Sequence, residues 1–80
     1  MYYVYILRCS DNTLYCGKTT DLERRLGEHN ESKKGAKYTS GRRPVELVYT
    51  EKLGSLSKAL KREFEIKKLN RKQKLKLISS

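Results

Sequence analysis

This sequence contains tyrosine, arginine, histidine and glutamate residues whose types and spacing could serve the hydrolysis of a phosphodiester. Such hydrolysis needs a base that activates water, a cation that holds the phosphate and usually a metal ion that neutralises developing charge. A tyrosine can be the base when a neighbouring positive charge lowers its pKa from about 10. Four of the six tyrosines lie in the first fifteen residues. A guanidinium grips phosphate as a fork, and one carboxylate with waters and phosphate oxygens suits Mg²⁺.

In two predicted helices, ionisable residues lie on or beside the apolar face. In the first helix, Arg25 and His29 flank the stripe formed by Leu22 and Leu26. In the second, Glu63 falls near the middle of an apolar arc. Burying an unpaired charge is costly, so a glutamate there is ion-paired at the edge of the core, shallow or functional. Taken singly, an arginine can snorkel and a histidine can be a satisfied boundary residue, but together these residues indicate a site.

Periodicity and turn signals define the elements that must position these residues. Alternation of aromatic, β-branched and polar residues predicts three strands, at residues 2–8, 13–19 and 45–51. Apolar residues at helical spacing predict three helices, at residues 20–30, 56–69 and 71–78. The order is β-β-α-β-α-α, and a chain of this length forms one domain over residues 1–80.

The first two strands are expected to form a hairpin. The connecting Ser-Asp-Asn makes a good three-residue loop, because asparagine tolerates a left-handed conformation. This register sets Leu7 opposite Tyr15 and Tyr5 opposite Gly17, although a bulge would shift it. Tyr5 and Tyr15 then share one face of the hairpin.

Two helices have starts with capping-box spacing. Thr20 and Glu23 have this spacing at the first helix, and Asn70 and Gln73 have it at the last. In each pair, one side chain can satisfy a backbone amide that the helix leaves without a partner.

The apolar residues predict which faces are buried. The third strand is expected to bury one alternating set, Val45, Leu47 and Tyr49. The second helix is expected to bury one arc, Leu56, Ala59, Leu60, Phe64 and Ile66. In the first helix, Arg24 and Glu28 are predicted to point away from the core.

Charge is the most informative property of the composition. Nineteen Lys and Arg face nine Asp and Glu, which gives a formal net charge of +10 and favours a polyanionic partner, most simply nucleic acid. No segment approaches the roughly 18 apolar residues of a membrane span, and no signal peptide is visible. We therefore expect a cytoplasmic protein that does not bind membranes, in which Cys9 and Cys16 are reduced.

The chain resembles the GIY-YIG nuclease family. Tyr3-Val4-Tyr5 and, ten residues later, Tyr15-Cys16-Gly17 look like the two tripeptides of that family's signature, and the later Arg25 and Glu63 fit the rest of its pattern. Tyrosine and cysteine stand where the signature has glycine and isoleucine. The resemblance covers nearly the whole chain and is greatest to short, stand-alone bacterial members. It implies an α+β fold with a small three-stranded antiparallel sheet flanked by helices.

The resemblance also implies metal-dependent cleavage of DNA phosphodiesters and assigns roles in it. One of the two phenols, Tyr5 rather than Tyr15, would act as general base or orient the attacking water. Gly17 would let the backbone pass close to the site, because it has no side chain. Lys18, which follows this glycine, would assist the phenol.

Three further positions acquire roles from the same resemblance. Arg25 would bind the scissile phosphate, and His29 would contact phosphate or water. Glu63 would hold the divalent cofactor, Mg²⁺ or Mn²⁺. The resemblance thus implies an endonuclease, and we expect it to have low sequence specificity, because its lysines and arginines bind phosphate independently of sequence.

A basic loop is the expected nucleic-acid contact. Its candidate contact residues are Lys33, Lys34, Lys37, Tyr38, Arg42 and Arg43. Lysine and arginine supply phosphate affinity that is independent of sequence. Two alternatives stay open: a non-catalytic nucleic-acid-binding module that keeps the fold, and an accessory subunit whose protein partner supplies targeting.

Overall fold

Within residues 1–31 and 44–79, the strands and helices follow one another in the predicted order β-β-α-β-α-α. The computed structural model describes residues 1–31 and 44–79, and the side chains of all of these except Glu31. The strands are β1 (Tyr2–Arg8), β2 (Leu14–Thr19) and β3 (Glu46–Leu53). The helices are α1 (Leu22–Glu31), α2 (Leu56–Lys67) and α3 (Arg71–Ser79). The strands form one antiparallel sheet in the order β2-β1-β3, so β1 is central and β2 lies at an edge.

The hairpin has the predicted register. Tyr5 pairs with Gly17 and Leu7 pairs with Tyr15 across β1 and β2. Asn12 in the loop has φ of 69°, the left-handed conformation that asparagine tolerates better than most residues. The loop closes with the Cys9 amide donating to the Thr13 carbonyl at 2.9 Å. The register therefore places both tyrosines of the expected site on one face of the sheet.

Each face of the sheet carries its own core. On the first face, Tyr5, Leu7, Cys9 and Val45 are buried together, and partly buried residues of β2, β3 and α1 pack against them. On the second face, the buried residues are Val4, Ile6, Cys16, Ala59 and Ile66, so this core joins the sheet to α2. Successive strand residues point to opposite faces, which explains why neighbours in β1 belong to different cores. The sheet thus separates α1 from α2.

Val45 is buried and Leu47 and Tyr49 are partly buried as expected, but the predicted alternation of β3 is broken at its middle. A register shift opposite Ile6 and Leu7 leaves Val48 without a partner in β1, which is typical of a β-bulge. Leu47 therefore packs on the first face, whereas Val48 and Tyr49 both pack on the second. The extra residue changes the direction of the side chains that follow it.

The cap predicted for α1 is also wrong. Asp21, one residue after Thr20, accepts a hydrogen bond from the Arg24 amide at 3.1 Å through its Oδ1 atom. Its carbonyl accepts the Arg25 amide at 3.0 Å. Both Thr and Asp are favoured N-cap residues. Here the helix begins at Leu22, which makes the aspartate the cap and leaves Thr20 outside the helix.

The buried face of α2 differs from the predicted arc. Ala59 and Ile66 are buried as expected, whereas Leu56, Leu60 and Phe64 are exposed. These three residues are four positions apart and share one side of the helix, which faces away from the sheet. No helix among residues 1–31 and 44–79 is both long enough and apolar enough to span a membrane.

The cap predicted for the last helix is confirmed. The Gln73 backbone amide donates to Oδ1 of Asn70 at 2.8 Å, and the Asn70 backbone amide donates to Oε1 of Gln73 at 3.0 Å. These reciprocal bonds are those of a capping box. Leu77 and Ile78 of α3 pack against the second core, so the box directs this helix onto the same face as α2.

Candidate functional site

The hydroxyl of Tyr5 is the centre of the site on the first face. Central strand β1 carries this tyrosine, whose side chain is only 2% exposed. Its Oη atom lies 3.0 Å from Nε2 of His29 on α1. The Arg25 guanidinium, one helical turn earlier on α1, is a further hydrogen-bond partner of the same oxygen. Arg25 and His29, which were predicted to lie on one helix, therefore both contact the Tyr5 hydroxyl of the sheet.

Gly17 makes room for this hydroxyl. A Cβ atom at position 17 would lie 2.5 Å from Oη and 2.7 Å from Cζ of Tyr5. It would also lie 3.2 Å from Cε2 of Tyr15. The glycine has no positive φ, so a close approach and not an unusual backbone conformation requires it.

Burial favours the protonated form of the Tyr5 phenol still further. Loss of water around the hydroxyl raises its pKa from 10 to about 12, because burial disfavours the charged phenolate. The hydrogen bond from Arg25 acts in the opposite direction but is the smaller effect. Since a guanidinium can only donate, the tyrosine oxygen accepts from Arg25 and its own proton is available to Nε2 of His29.

His29 lies underneath the site and not at its surface. Its side chain is fully buried, and it packs edge-on against two phenol rings. The ring centroids are 6.0 Å from Tyr5 and 5.2 Å from Tyr15. Tyr15 is partly exposed. The arrangement gives His29 a direct contact with the Tyr5 hydroxyl, and solvent reaches the site on the side of Tyr15 and Arg25.

Arg25 has one partner that sequence reasoning missed. Its Nη1 atom donates to Oε1 of Glu28 at 3.0 Å, and both side chains are partly buried. The prediction that Glu28 points away is therefore wrong, whereas Arg24 is exposed as predicted. The i,i+3 spacing of Arg25 and Glu28 was the available signal. The carboxylate holds the guanidinium beside Tyr5, and the guanidinium and this tyrosine line a shallow depression together with Leu22 and Leu26.

Asn30 is a second residue that sequence reasoning missed. Its side-chain amide donates to the Val45 carbonyl at 3.1 Å and accepts from the Val45 amide at 2.6 Å. These two bonds tie the end of α1 to the residue before β3. They therefore join the chain on both sides of residues 32–43. The predicted contacts Lys33, Lys34, Lys37, Tyr38, Arg42 and Arg43 lie outside the described residues.

Lys18 and Glu63 meet on the second face of the sheet. Lys18 follows Gly17 in β2 and points to the opposite face, toward α2. Its Nζ atom lies 3.6 Å from Oε1 of Glu63, and Nζ of Lys67 lies 3.6 Å from Oε2. The salt bridge considered for Glu63 is thus present, with two lysines. The cation beside the Tyr5 hydroxyl is Arg25 and not Lys18.

The donor set at Glu63 fits one mode of magnesium binding. Among residues 1–31 and 44–79, no group of three or more His, Cys, Asp or Glu residues has a geometry suited to a metal ion. Mg²⁺ is often bound by one or two carboxylates and completes its octahedron with substrate phosphates and waters. Glu63, with a side chain 14% exposed, can supply that one carboxylate.

Both cysteines are reduced, as predicted. Cys9 and Cys16 are free and buried, and they belong to the cores on opposite faces of the sheet. Burial, together with the nearby charge of Glu63, raises the pKa of the Cys16 thiol to about 11. This thiol is therefore uncharged at neutral pH.

Comparison with known proteins identifies the family. The family described as GIY-YIG catalytic domain matches residues 1–76. The chain belongs to the GIY-YIG family. Members of this family are usually nucleases that act on nucleic acid, and the nucleases typically use divalent metals. The resemblance drawn from the tyrosine tripeptides is therefore confirmed.

Similar GIY-YIG proteins occur in bacteria and archaea. A UPF0213 protein of Syntrophus aciditrophicus is 62% identical over 76 residues, which are 95% of this chain and 87% of that protein. A UPF0213 protein of Natronomonas pharaonis is 55% identical over 78 residues, 98% of this chain and 91% of that one. The expected similarity to short bacterial members thus extends to archaea.

Solved structures of similar proteins share this fold. The solution NMR structure of a protein from E. faecalis has a TM-score of 0.66 and 48% identity. The match covers 98% of this chain and 82% of that one. The solution NMR structure of a UPF0213 protein from Bacillus halodurans has a TM-score of 0.63 and 49% identity. That match covers 99% of this chain and 84% of the other.

Proposed function

We propose that this GIY-YIG protein is a metal-dependent endonuclease that hydrolyses DNA phosphodiesters with low sequence specificity. The observation that supports it most is the surroundings of the Tyr5 hydroxyl. This oxygen has His29 Nε2 at 3.0 Å and the Arg25 guanidinium as partners, and Gly17 leaves space beside it. A proton acceptor, a phenol and a cation that can bind phosphate thus meet at one oxygen, and these are groups that hydrolysis of a phosphodiester uses.

Arg25 is the residue that we assign to the scissile phosphate. Its side chain is 25% exposed, and Glu28 fixes the orientation of its guanidinium. A guanidinium held in this way can bind two phosphate oxygens and stabilise the charge that develops on them. Tyr15 is partly exposed and packs against His29, and we assign it to orienting the attacking water.

Tyr5 and His29 together are assigned the role of general base. The pKa of Tyr5 is about 12, so a phenolate is rare at neutral pH and the phenol cannot accept a proton without releasing one. In the proposed step, water gives a proton to the tyrosine oxygen while the tyrosine gives its own proton to His29 Nε2. The water oxygen bonds to phosphorus, the bond to the leaving oxygen breaks, and solvent protonates that oxygen.

Glu63 is assigned to the divalent metal, Mg²⁺ or Mn²⁺. Once bound, the ion would neutralise negative charge on the phosphate as it builds up. Glu63 lies on α2, which packs on the second face of the sheet, and Tyr5 points to the first face, so the two residues lie on opposite faces. β2 is an edge strand, and a nucleic-acid backbone that follows this edge would pass both groups.

Low sequence specificity is expected because the basic residues of the chain would contact phosphates and not bases. The net charge of +10 supplies phosphate affinity, which carries no sequence information. The basic residues of the 32–43 segment, Lys33, Lys34, Lys37, Arg42 and Arg43, are proposed to add to it, with Tyr38 as a further contact. Asn30 and Val45 join the chain on both sides of this segment near α1.

Cleavage of a labelled DNA panel tests this function. Single-stranded, duplex and branched DNA would be incubated with Mg²⁺ or Mn²⁺, and with a chelator as the metal control. Arg25→Gln should reduce the cleavage rate by about 100-fold or more, since it removes a donor to the transition state. Arg24→Gln is the matched control, because it removes the same charge from an exposed position on the same helix.

Two results would contradict the proposal. Equal cleavage by the Arg24 and Arg25 variants would indicate a contaminating nuclease or a site elsewhere. Absence of cleavage by the wild type on every substrate, with tight and salt-sensitive DNA binding, would favour the non-catalytic binding module or an accessory subunit that requires its partner.

A further inference from the structure

Two lysines from different elements already neutralise the carboxylate of Glu63. Lys18 of β2 pairs with one carboxylate oxygen and Lys67 of α2 pairs with the other, each at 3.6 Å. The glutamate side chain is 14% exposed, whereas those of Lys18 and Lys67 are 33% and 53% exposed, so water screens the Lys67 pair more than the Lys18 pair. One negative charge between two positive charges leaves this group with a net charge of +1.

A divalent cation would therefore meet an unfavourable potential in the free protein. To bind Glu63, the ion must replace or approach two ammonium groups within a chain that carries a net charge of +10. Like charges a few ångströms apart repel strongly when they are partly removed from water. The carboxylate that suits the metal is thus occupied by competing cations.

These lysines can leave the carboxylate without breaking a close hydrogen bond. A separation of 3.6 Å is longer than the 2.7–3.2 Å typical of an N–H···O hydrogen bond, so both contacts are largely electrostatic. By contrast, the Arg62 guanidinium approaches Glu51 at 3.0 Å with hydrogen-bond geometry. Lysine has a flexible stem and three rotatable donors, which lets it turn from a carboxylate to a phosphate.

We propose that Lys18 and Lys67 make metal binding at Glu63 depend on bound nucleic acid. Phosphate oxygens attract the two ammonium groups, free the carboxylate and add the negative charge that a divalent ion requires. Glu63, together with the phosphate, would then hold the divalent ion. This inference rests on the proposed function, since it concerns the same metal and the same substrate.

Thermodynamic linkage between the two binding events gives the proposal a second consequence. If nucleic acid tightens metal binding by some factor, the metal tightens nucleic-acid binding by the same factor. Coupling between two sites is typically about 5- to 150-fold. The free protein would therefore hold little metal at Glu63, and the site would be completed on the substrate.

The test follows the Glu63 carboxyl carbon by NMR in protein labelled with ¹³C-glutamate. Mg²⁺ would be titrated into the free protein, into protein with a phosphorothioate oligonucleotide, and into protein with an uncharged methylphosphonate oligonucleotide of the same sequence. A gel run after each titration shows whether the oligonucleotide is intact. The same titrations would be made on the double variant Lys18→Met, Lys67→Met. Its matched control is Lys58→Met, Lys61→Met, which removes two charges from exposed positions of α2.

The proposal predicts a distinct pattern of magnesium affinities. In the wild type, the phosphorothioate oligonucleotide should lower the half-saturating Mg²⁺ concentration by about tenfold or more, and the uncharged one should not change it. With no oligonucleotide, the variant without Lys18 and Lys67 should bind Mg²⁺ at Glu63 more tightly than the wild type does. The Lys58 and Lys61 variant should behave like the wild type.

Three outcomes would overturn the proposal. Equal Mg²⁺ affinity of the wild type with and without phosphorothioate DNA would remove the linkage but leave the metal site. Equal effects of the two double variants would show a general charge effect in place of the two ion pairs. No response of Glu63 to Mg²⁺ in any variant or complex would remove both the linkage and the proposed metal site.

Discussion

Replacement of Gly17 by alanine tests how closely the Tyr5 hydroxyl is confined. The new Cβ would lie 2.5 Å from Oη and 2.7 Å from Cζ of Tyr5, against an ordinary contact of 3.4–4 Å. The tyrosine ring cannot simply turn away, because Leu7, Cys9 and Val45 surround it in the first core. Either the strand or the ring must therefore shift.

The size of that shift sets the expected effects. Relief of the contact requires a displacement of roughly 1 Å, and a misplacement of this size in an active site can cost about 100-fold in rate. Overpacking of a core typically lowers the free energy of unfolding by about 1–3 kcal/mol. We expect both losses in Gly17→Ala, measured by urea unfolding and by DNA cleavage at a temperature where the variant is folded.

Gly27→Ala is the matched control for the same added methyl group. Nothing lies within 4 Å of a Cβ at position 27, which is in α1. This substitution should raise the free energy of unfolding by about 0.5–1 kcal/mol, because alanine favours the helix. In a Tyr5→Phe background, Gly17→Ala should cost less than in the wild type, because one of the two crowded tyrosine atoms is gone.

Wild-type stability and activity in Gly17→Ala would refute this reasoning. So would an equal cost of Gly17→Ala in the wild-type and Tyr5→Phe backgrounds, because the two positions would then not be in contact. A loss of activity with unchanged stability would still agree with displacement of the hydroxyl, provided that Gly27→Ala remains active.

Two further predictions concern pH and the start of α1. The pKa of Tyr5 is about 12 when folded and about 10 when unfolded, so the unfolded chain loses its proton first as pH rises. The free energy of unfolding should therefore fall by roughly 2–3 kcal/mol between pH 10 and 12. Urea unfolding of Tyr5→Phe over the same pH range should show a decrease that is smaller by this amount. Equal pH dependence in the wild type and the variant would contradict a raised pKa of Tyr5 in the folded protein. Asp21→Ala should lower the free energy of unfolding by about 1 kcal/mol, whereas Thr20→Ala should change it by less than about 0.5 kcal/mol. Both variants can be compared by thermal unfolding. A larger loss of stability in Thr20→Ala than in Asp21→Ala would show that Thr20 is the N-cap.

The hairpin was predictable from sequence because local rules determine it. A three-residue loop whose asparagine can be left-handed, followed by strict alternation, leaves one register that pairs Tyr5 with Gly17. The capping box at Asn70 and Gln73 was predictable for the same reason. At α1, two favoured N-cap residues are adjacent. Capping-box spacing predicted Thr20, but the Arg24 backbone amide donates to Asp21.

The features that sequence reasoning missed depend on contacts between distant segments. Periodicity finds the apolar arc of α2 but does not say which part of it meets the sheet, and the helix presents Ala59 and Ile66. The bulge at Val48 is invisible in an alternating pattern until β1 is placed beside it. Likewise, the pairing of Lys18 with Glu63 required knowledge that α2 packs on the second face.

The measurement that tests the central claim most directly is metal-dependent DNA cleavage by Glu63→Gln beside the wild type. Glu46→Gln is the control, since Glu46 is an exposed glutamate in an ion pair with Arg8. The account predicts that Glu63→Gln loses cleavage but keeps DNA binding, while Glu46→Gln cleaves like the wild type. Equal metal-dependent cleavage by all three proteins would contradict the assignment of Glu63 to the metal.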